Sequence, residues 1–144
     1  MRLTQVMMDV RDMIARSDEV RAFCMEKFGK PPTIMAGYNA RRPPVDDELP
    51  TVILIPDKSD FDMGGKGEHK VVMTWAVSNG SVEREDNLVT FPGFLQVDEL
   101  GELLMAALEP VGSQYRITYT GYDLHSSEQA PAFVGEIELA IAEW

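Results

Sequence analysis

The groups able to move a proton or attack a substrate at neutral pH are few here: His69, His125 and the single cysteine, Cys24. Neither histidine falls within a catalytic motif. Cys24 lies on the apolar stripe of a short helical segment, where a buried structural thiol is the expected state rather than a nucleophile. No C-x-x-C or H-E-x-x-H run is present from which a zinc site is built. Carboxylates are plentiful, 24 Asp and Glu in all, and that abundance lowers the meaning of any one pair.

The stretch that reads as most mobile is 57–68, with Asp57, Asp60 and Asp62 ahead of Gly64, Gly65, Lys66 and Gly67. Read as a calcium loop starting at Asp57, it places Glu68 correctly at the twelfth position. Phe61, however, stands where an oxygen ligand belongs, and Asp62 replaces the glycine of the sharp turn. The GGKG piece lacks the spacing of a phosphate loop. The segment therefore reads as a flexible loop of the kind that orders on a partner. Tyr115, Tyr119 and Tyr122 have the ring faces to stack on a base or sugar, but with few cations nearby, sheet packing or a protein interface suits them better. No catalytic residue, metal ligand or cofactor is assigned, and the chain is not expected to be an enzyme.

The elements that must position these residues are clearer. Val97–Leu108 reads VDELGELLMAAL, with Leu100, Leu103, Leu104, Ala107 and Leu108 at the spacings of one helical face. Pro110 and Gly112 stop it, which gives a helix over 97–109. Two further helices are expected within 1–29. One is striped by Leu3, Val6, Met7, Val10, Met13 and Ile14. The other is capped by Ser17, carries Val20 and Phe23, and ends at Gly29 before Pro31 and Pro32. The Met-rich stripe (Met7, Met8, Met13) suits a partner surface or, more plainly, core packing.

Strands are expected at 33–38, at 51–56 as a run buried on both faces, at 69–78, at 115–123 and at 133–144, where Ile137, Leu139 and Ile141 alternate with glutamates. Asn79-Gly80 is a hairpin signal, Leu88–Phe91 is a short run able to rejoin the sheet, and Gly121 suggests a bulge. Residues 39–50 form a polar loop, with Arg41 and Arg42 beside Pro43 and Pro44. The sum is one α+β domain over 1–144, a mostly antiparallel mixed sheet packed by the central helix and the N-terminal helices.

Bulk properties narrow the class. The 44% hydrophobic and 26% charged fractions are those of a folded globular chain. No apolar run nears the ~20 residues that cross a bilayer, and the absence of a secretory pattern makes intracellular synthesis the expectation. The formal net charge is −11 and is lopsided. Residues 1–84 hold 12 Lys and Arg against 13 Asp and Glu, while 85–144 hold 11 acids and one base, Arg116. Such a half repels phosphate backbones, which argues against gripping nucleic acid by charge. It reads first as a solvated surface and, more sharply, as an acidic face on which DNA does not stick.

The order of these pieces resembles the tail terminator (tail completion) proteins of long-tailed bacteriophages, the minor tail protein U type. The resemblance runs through the N-terminal helix, the PTIMAGY strand, the loop RRPPVDDELP leading to TVILIP, and the glycine-rich loop before HKVVMTWAV. It continues through the VDELGELLMAAL helix and the final pair ITYTGYDL and FVGEIELAIAEW. It covers most of the chain as a pattern of elements.

That resemblance implies a virion subunit, made in the bacterial host cytoplasm and placed in the tail or neck. Copies form a ring, typically a hexamer, that ends tail tube polymerisation and meets the tail tube protein and the head–tail connector. DNA passes through the lumen without specific binding. The expected interaction loops hold Arg41, Arg42, Asp57, Asp60, Asp62 and Lys66. Two rivals stand beside this reading: another head–tail joining or neck subunit, and a small enzyme or ligand-binding domain using 57–69 with His69.

Overall fold

A computed structural model describes residues 2–37, 48–61, 67–109, 115–126 and 132–143. Its elements, in chain order, are helices α1 (Leu3–Ala15) and α2 (Asp18–Phe28) and strands β1 (Thr33–Ala36), β2 (Thr51–Phe61) and β3 (Gly67–Ser78). After them come the short strands β4 (Glu83–Glu85) and β5 (Leu88–Thr90), helix α3 (Pro92–Ala107), and strands β6 (Tyr115–Ser126) and β7 (Ala132–Glu143). Five strands form one mixed sheet in the order β1-β2-β3-β7-β6, with β1 parallel to β2 and the other pairs antiparallel. The α+β class read from the sequence is the one observed.

Strand periodicity decides which side meets the helices. Val52 and Leu54 on β2, Val71, Met73, Trp75 and Val77 on β3, and Ile137, Leu139 and Ile141 on β7 all project to one side. There they meet Val6, Val10 and Ile14 of α1, Val20 and Phe23 of α2, and Val97, Leu100 and Leu104 of α3. The α2 caps are those expected: Ser17 Oγ accepts from Val20 N at 3.2 Å, and Gly29 closes the helix at φ 77°. On α1, Met7 enters the core, Met13 packs against it, and Met8 is exposed.

Several boundaries differ from expectation, each for a physical reason. Helix α3 starts at Pro92, five residues before Val97, because proline suits the first helical turn. Strand β2 runs past Pro56 to Phe61, and β3 begins at Gly67, so the expected 57–68 loop is strand at both of its ends, over 57–61 and 67–68. The ladder skips one residue between Pro56 and Lys58 and then resumes, Lys58 opposite Lys70 and Ser59 opposite His69. A polar strand needs only its backbone to pair, so the apolar pattern ends before the strand does.

Asn79-Gly80 forms no hairpin. Gly80 lacks the positive φ of a primed turn, and β3 pairs with β2 and β7 instead. Leu88–Thr90 does not rejoin the sheet but forms a separate two-stranded ribbon with Glu83–Glu85. The bulge expected at Gly121 is present, at φ 70° beside the register shift between Thr120 and Asp123.

Trp75 lies at the centre of this packing, fully buried on β3. Its indole Nε1 donates to the carbonyl of Val97 on α3 at 2.8 Å. Two glycines make room for the ring. A Cβ at Gly135 on β7 would stand 2.3 Å from Trp75 Cε2, and one at Gly101 on α3 would stand 2.5 Å from Cζ2.

Three tyrosines of β6 then reach the helix layer. Tyr115 donates to Asp9 Oδ2 at 2.6 Å, Tyr119 to the Met105 carbonyl at 3.3 Å, and Tyr122 to Asp98 Oδ1 at 2.6 Å. Burial raises the Tyr119 hydroxyl pKa, with the Glu109 charge adding to it. Burial likewise raises that of Tyr122, helped by its bond to Asp98 and by the charges of Asp98 and Glu102.

Two outcomes are expected. Gly101→Ala should lower stability to urea by about 1–3 kcal/mol, although alanine favours an ordinary helix by about 1 kcal/mol, because the indole must move; a stabilised variant would contradict the packing. Folded-state values for Tyr119 and Tyr122 lie above the unfolded value near 10, so their contribution is whole below about pH 10 and is lost as pH rises through the folded values. Thermal unfolding followed by circular dichroism should show the melting point falling above about pH 10, and in Tyr122→Phe that fall should be smaller.

Candidate functional site

Those of the residues singled out from the sequence that lie among the described residues do not come together into a reactive centre. Asp57 and Asp60 are exposed on β2, and Asp60 lies 4.0 Å from Lys58 Nζ. Arg41, Arg42, Asp62 and Lys66 lie outside the described residues. Among the described residues no three His, Cys, Asp or Glu side chains converge as metal ligands.

His69 is 1% exposed on the helix side of β3, with Nδ1 2.6 Å from Ser59 Oγ. The two face each other across the β2–β3 ladder, the imidazole buried and Ser59 half-buried. His125 is exposed, its Nδ1 3.8 Å from Asp123 Oδ2. Cys24 is buried, and burial pushes its thiol up to about 12, which keeps it protonated and unreactive at neutral pH.

Charge is arranged differently from the single acidic face considered above. Glu99 and Glu102 point outward from α3, on the helix layer. Glu136 and Glu138 stand on the opposite surface, the sheet side away from Trp75 and Met73. The acidity of the C-terminal half is thus divided between two surfaces.

Two surface features lie at one end of the sheet. The first is the β4–β5 ribbon with the residues leading into and out of it. Every residue from Ser81 to Phe91 is exposed. The ribbon pairs only with itself among the described residues, and its turn is made by Asp86, at φ 54°, with Asn87. Glu83, Glu85 and Asp86 charge its β4 side and tip, while Leu88, 65% exposed, and Val89 present apolar surface on β5. Phe91, Phe94 and Leu95, all exposed, continue that apolar surface onto the start of α3. A shallow groove of about 340 Å³ runs between Val89, Phe91, Phe94 and Phe133. A two-stranded ribbon with no buried side chain is marginal by itself, and its exposed apolar side chains adjoin those at the start of α3.

The second feature is a polar cleft of about 550 Å³ at the same end of the sheet. One wall is the C-terminal end of α2, from Lys27 to Lys30; Leu49 and Pro50 form the floor; Ser78, Asn79 and Ser81 form the far wall. Asn79 is held in place from two sides. Its Nδ2 donates to Gln96 Oε1 at 2.8 Å, and its Oδ1 accepts from Ser81 N at 2.9 Å. Lys27 Nζ is 3.6 Å from Glu26 Oε1, an exposed pair of little energetic weight. The sequence signal for the ribbon was the run Leu88-Val89 after Asp86-Asn87; nothing in it signalled the cleft, whose walls are distant in the chain.

No protein-family model and no curated protein matches this sequence. Its fold is similar to that of a chain in the virion of a native gene transfer agent particle, with a TM-score of 0.55 at 13% identity. The likeness covers 94% of this chain and 92% of that one, so it embraces the whole architecture, helices and sheet together.

Proposed function

We propose that this chain is a structural subunit of a phage-like virion, a tail terminator that assembles with copies of itself into a ring, six in number. The ring ends polymerisation of the tail tube and offers its other side to the head–tail connector, while DNA passes through its lumen without specific binding. The observation that carries this reading is the end-to-end likeness of fold to a chain of a gene transfer agent virion.

The surface chemistry supports it. A subunit whose work is assembly needs outward-facing contact elements more than a reactive pocket. The described residues hold an exposed apolar ribbon and a polar cleft, while His69 and Cys24 are buried. Acidic side chains on both outer surfaces are compatible with a passage that does not retain DNA, since like charge repels the phosphate backbone. No described helix is long and apolar enough to cross a membrane.

The test is genetic complementation in the particle that encodes the chain. Removing it should give tails of uncontrolled length and heads without joined tails, and restoring it should return normal particles. Normal tail length in its absence would contradict the terminator role. Normal length with unjoined heads would place the subunit at the neck instead. Charge reversal at Arg41 and Arg42 should impair complementation if their loop contacts the tube, scored as the fraction of joined particles by electron microscopy.

A further inference from the structure

Exposed apolar side chains are concentrated in one short stretch. Among the described residues nine large hydrophobic side chains are exposed, and six of them, Val82, Leu88, Val89, Phe91, Phe94 and Leu95, fall between Val82 and Leu95. Val89, Phe91 and Phe94 line the groove of about 340 Å³ whose far side is Phe133 of β7. The same stretch is acidic. Residues 81–102 hold Glu83, Glu85, Asp86, Asp98, Glu99 and Glu102 against one base, Arg84, a net of −5. None of these six carboxylates forms an ion pair among the described residues. On α3 the two kinds of side chain share one surface, since Leu95, Asp98, Glu99 and Glu102 follow at three- and four-residue spacing and Phe94 stands one turn before Asp98. From this meeting of exposed apolar and uncompensated acidic side chains we infer that the groove beside the ribbon receives an amphipathic helix of another protein, apolar on one side and flanked by lysine and arginine.

A partner for this surface must supply apolar side chains and positive charge together. A second copy of this chain is poorly suited to that: its net charge is −11, and even residues 1–84, with 12 of the 13 bases, hold 13 acids. The same surface placed against itself brings carboxylates against carboxylates. Nucleic acid and anionic lipid are repelled alike. A helix fits better than a strand. β5 has three residues, Leu88–Thr90, too short an edge for main-chain pairing to hold a partner. Side chains must therefore carry the contact, which is how an amphipathic helix seats in a groove. Its apolar anchors enter between Phe91, Phe94 and Phe133, and its cations meet Asp98, Glu99 and Glu102 on α3 and Glu83 and Glu85 on the ribbon. Exposed ion pairs each contribute little and mainly choose the partner, so apolar contact supplies the affinity. This inference goes beyond the ring reading and does not depend on it.

The test uses the full chain and a fluorescein-labelled synthetic peptide of about 18 residues, roughly five helical turns, with leucines at i, i+3, i+4 and i+7 and lysines between them. Two controls accompany it: a scrambled peptide of the same composition, and one with glutamate in place of lysine. Fluorescence anisotropy should show saturable binding of the first peptide alone, weakening as salt is raised. Phe94→Ser with Leu95→Ser should weaken it about tenfold or more, and Glu99→Lys with Glu102→Lys about tenfold. All four residues are exposed, and circular dichroism checks that each variant is folded. Should the serine pair unfold the protein, the lysine pair still decides.

No binding of the lysine–leucine peptide, equal binding of the scrambled or the glutamate peptide, or unchanged affinity in either folded variant would each overturn the docking. Sedimentation velocity of the protein without peptide tests the other occupant. Self-association abolished by Phe94→Ser with Leu95→Ser would assign the groove to a second copy and overturn the inference. A monomer, or an assembly that the serine pair leaves intact, supports it when peptide binding is lost in that variant. Tail length unaffected by loss of the protein would remove the terminator role and leave the docking standing.

Discussion

The packing of one indole governs the geometry of the whole molecule. Trp75 stands on a central strand, and its ring passes between the backbones of α3 and β7 because neither carries a side chain at the point of contact. The N–H group that such burial would otherwise strand is satisfied by the Val97 carbonyl at 2.8 Å. With that bond made and both glycines in place, the height and direction of α3 over the sheet are set. The N-terminus of α3 carries Phe91, Phe94 and Leu95 and lies directly after the β4–β5 ribbon. The exposed surface is therefore held at a defined angle by an interaction buried well behind it.

Much of this was legible in the residues, and the parts that were not have physical causes. Val52, Leu54, Met73, Trp75, Ile137 and Leu139 alternate as a one-sided sheet requires, and Ser17 with Gly29 bracket α2 as caps do. The strand ends escaped because they are polar. Beyond Pro56 the apolar period stops, yet the backbone ladder continues through Ser59 and Asp60. Gly101 was the quiet signal. A glycine inside an otherwise strong helix costs about 1 kcal/mol, and here its reason is the tryptophan ring above it. Asn79-Gly80 misled in the other direction. Asn79 uses its side chain to tie the β3 exit to Gln96 and Ser81, so the pair directs the chain away from the sheet rather than back along it.

The candidate site was less legible than the fold. The acidic and glycine-rich stretch drew attention because of its ligating side chains, but Asp57 and Asp60 lie exposed on a strand, and among the described residues no third ligand joins them. The cleft is assembled from distant parts of the chain: the end of α2, the residues leading into β2, and the end of β3 with the residues after it. Periodicity reports which side of an element is buried. It is silent on which exposed surfaces share an edge, and so on whether a projecting ribbon and a polar cleft come to lie at one end of the molecule. Among the described residues the thiol and one imidazole are inside, while the ribbon's charged and apolar side chains are outside.

The most direct measurement is electron microscopy of tail tubes polymerised from purified tube protein with and without this chain. A terminator ring should appear as an added layer at one end of each tube, with an open centre, and tubes carrying it should stop growing when more tube protein is supplied. Tubes that bear no added layer and elongate equally in its presence would contradict the assignment.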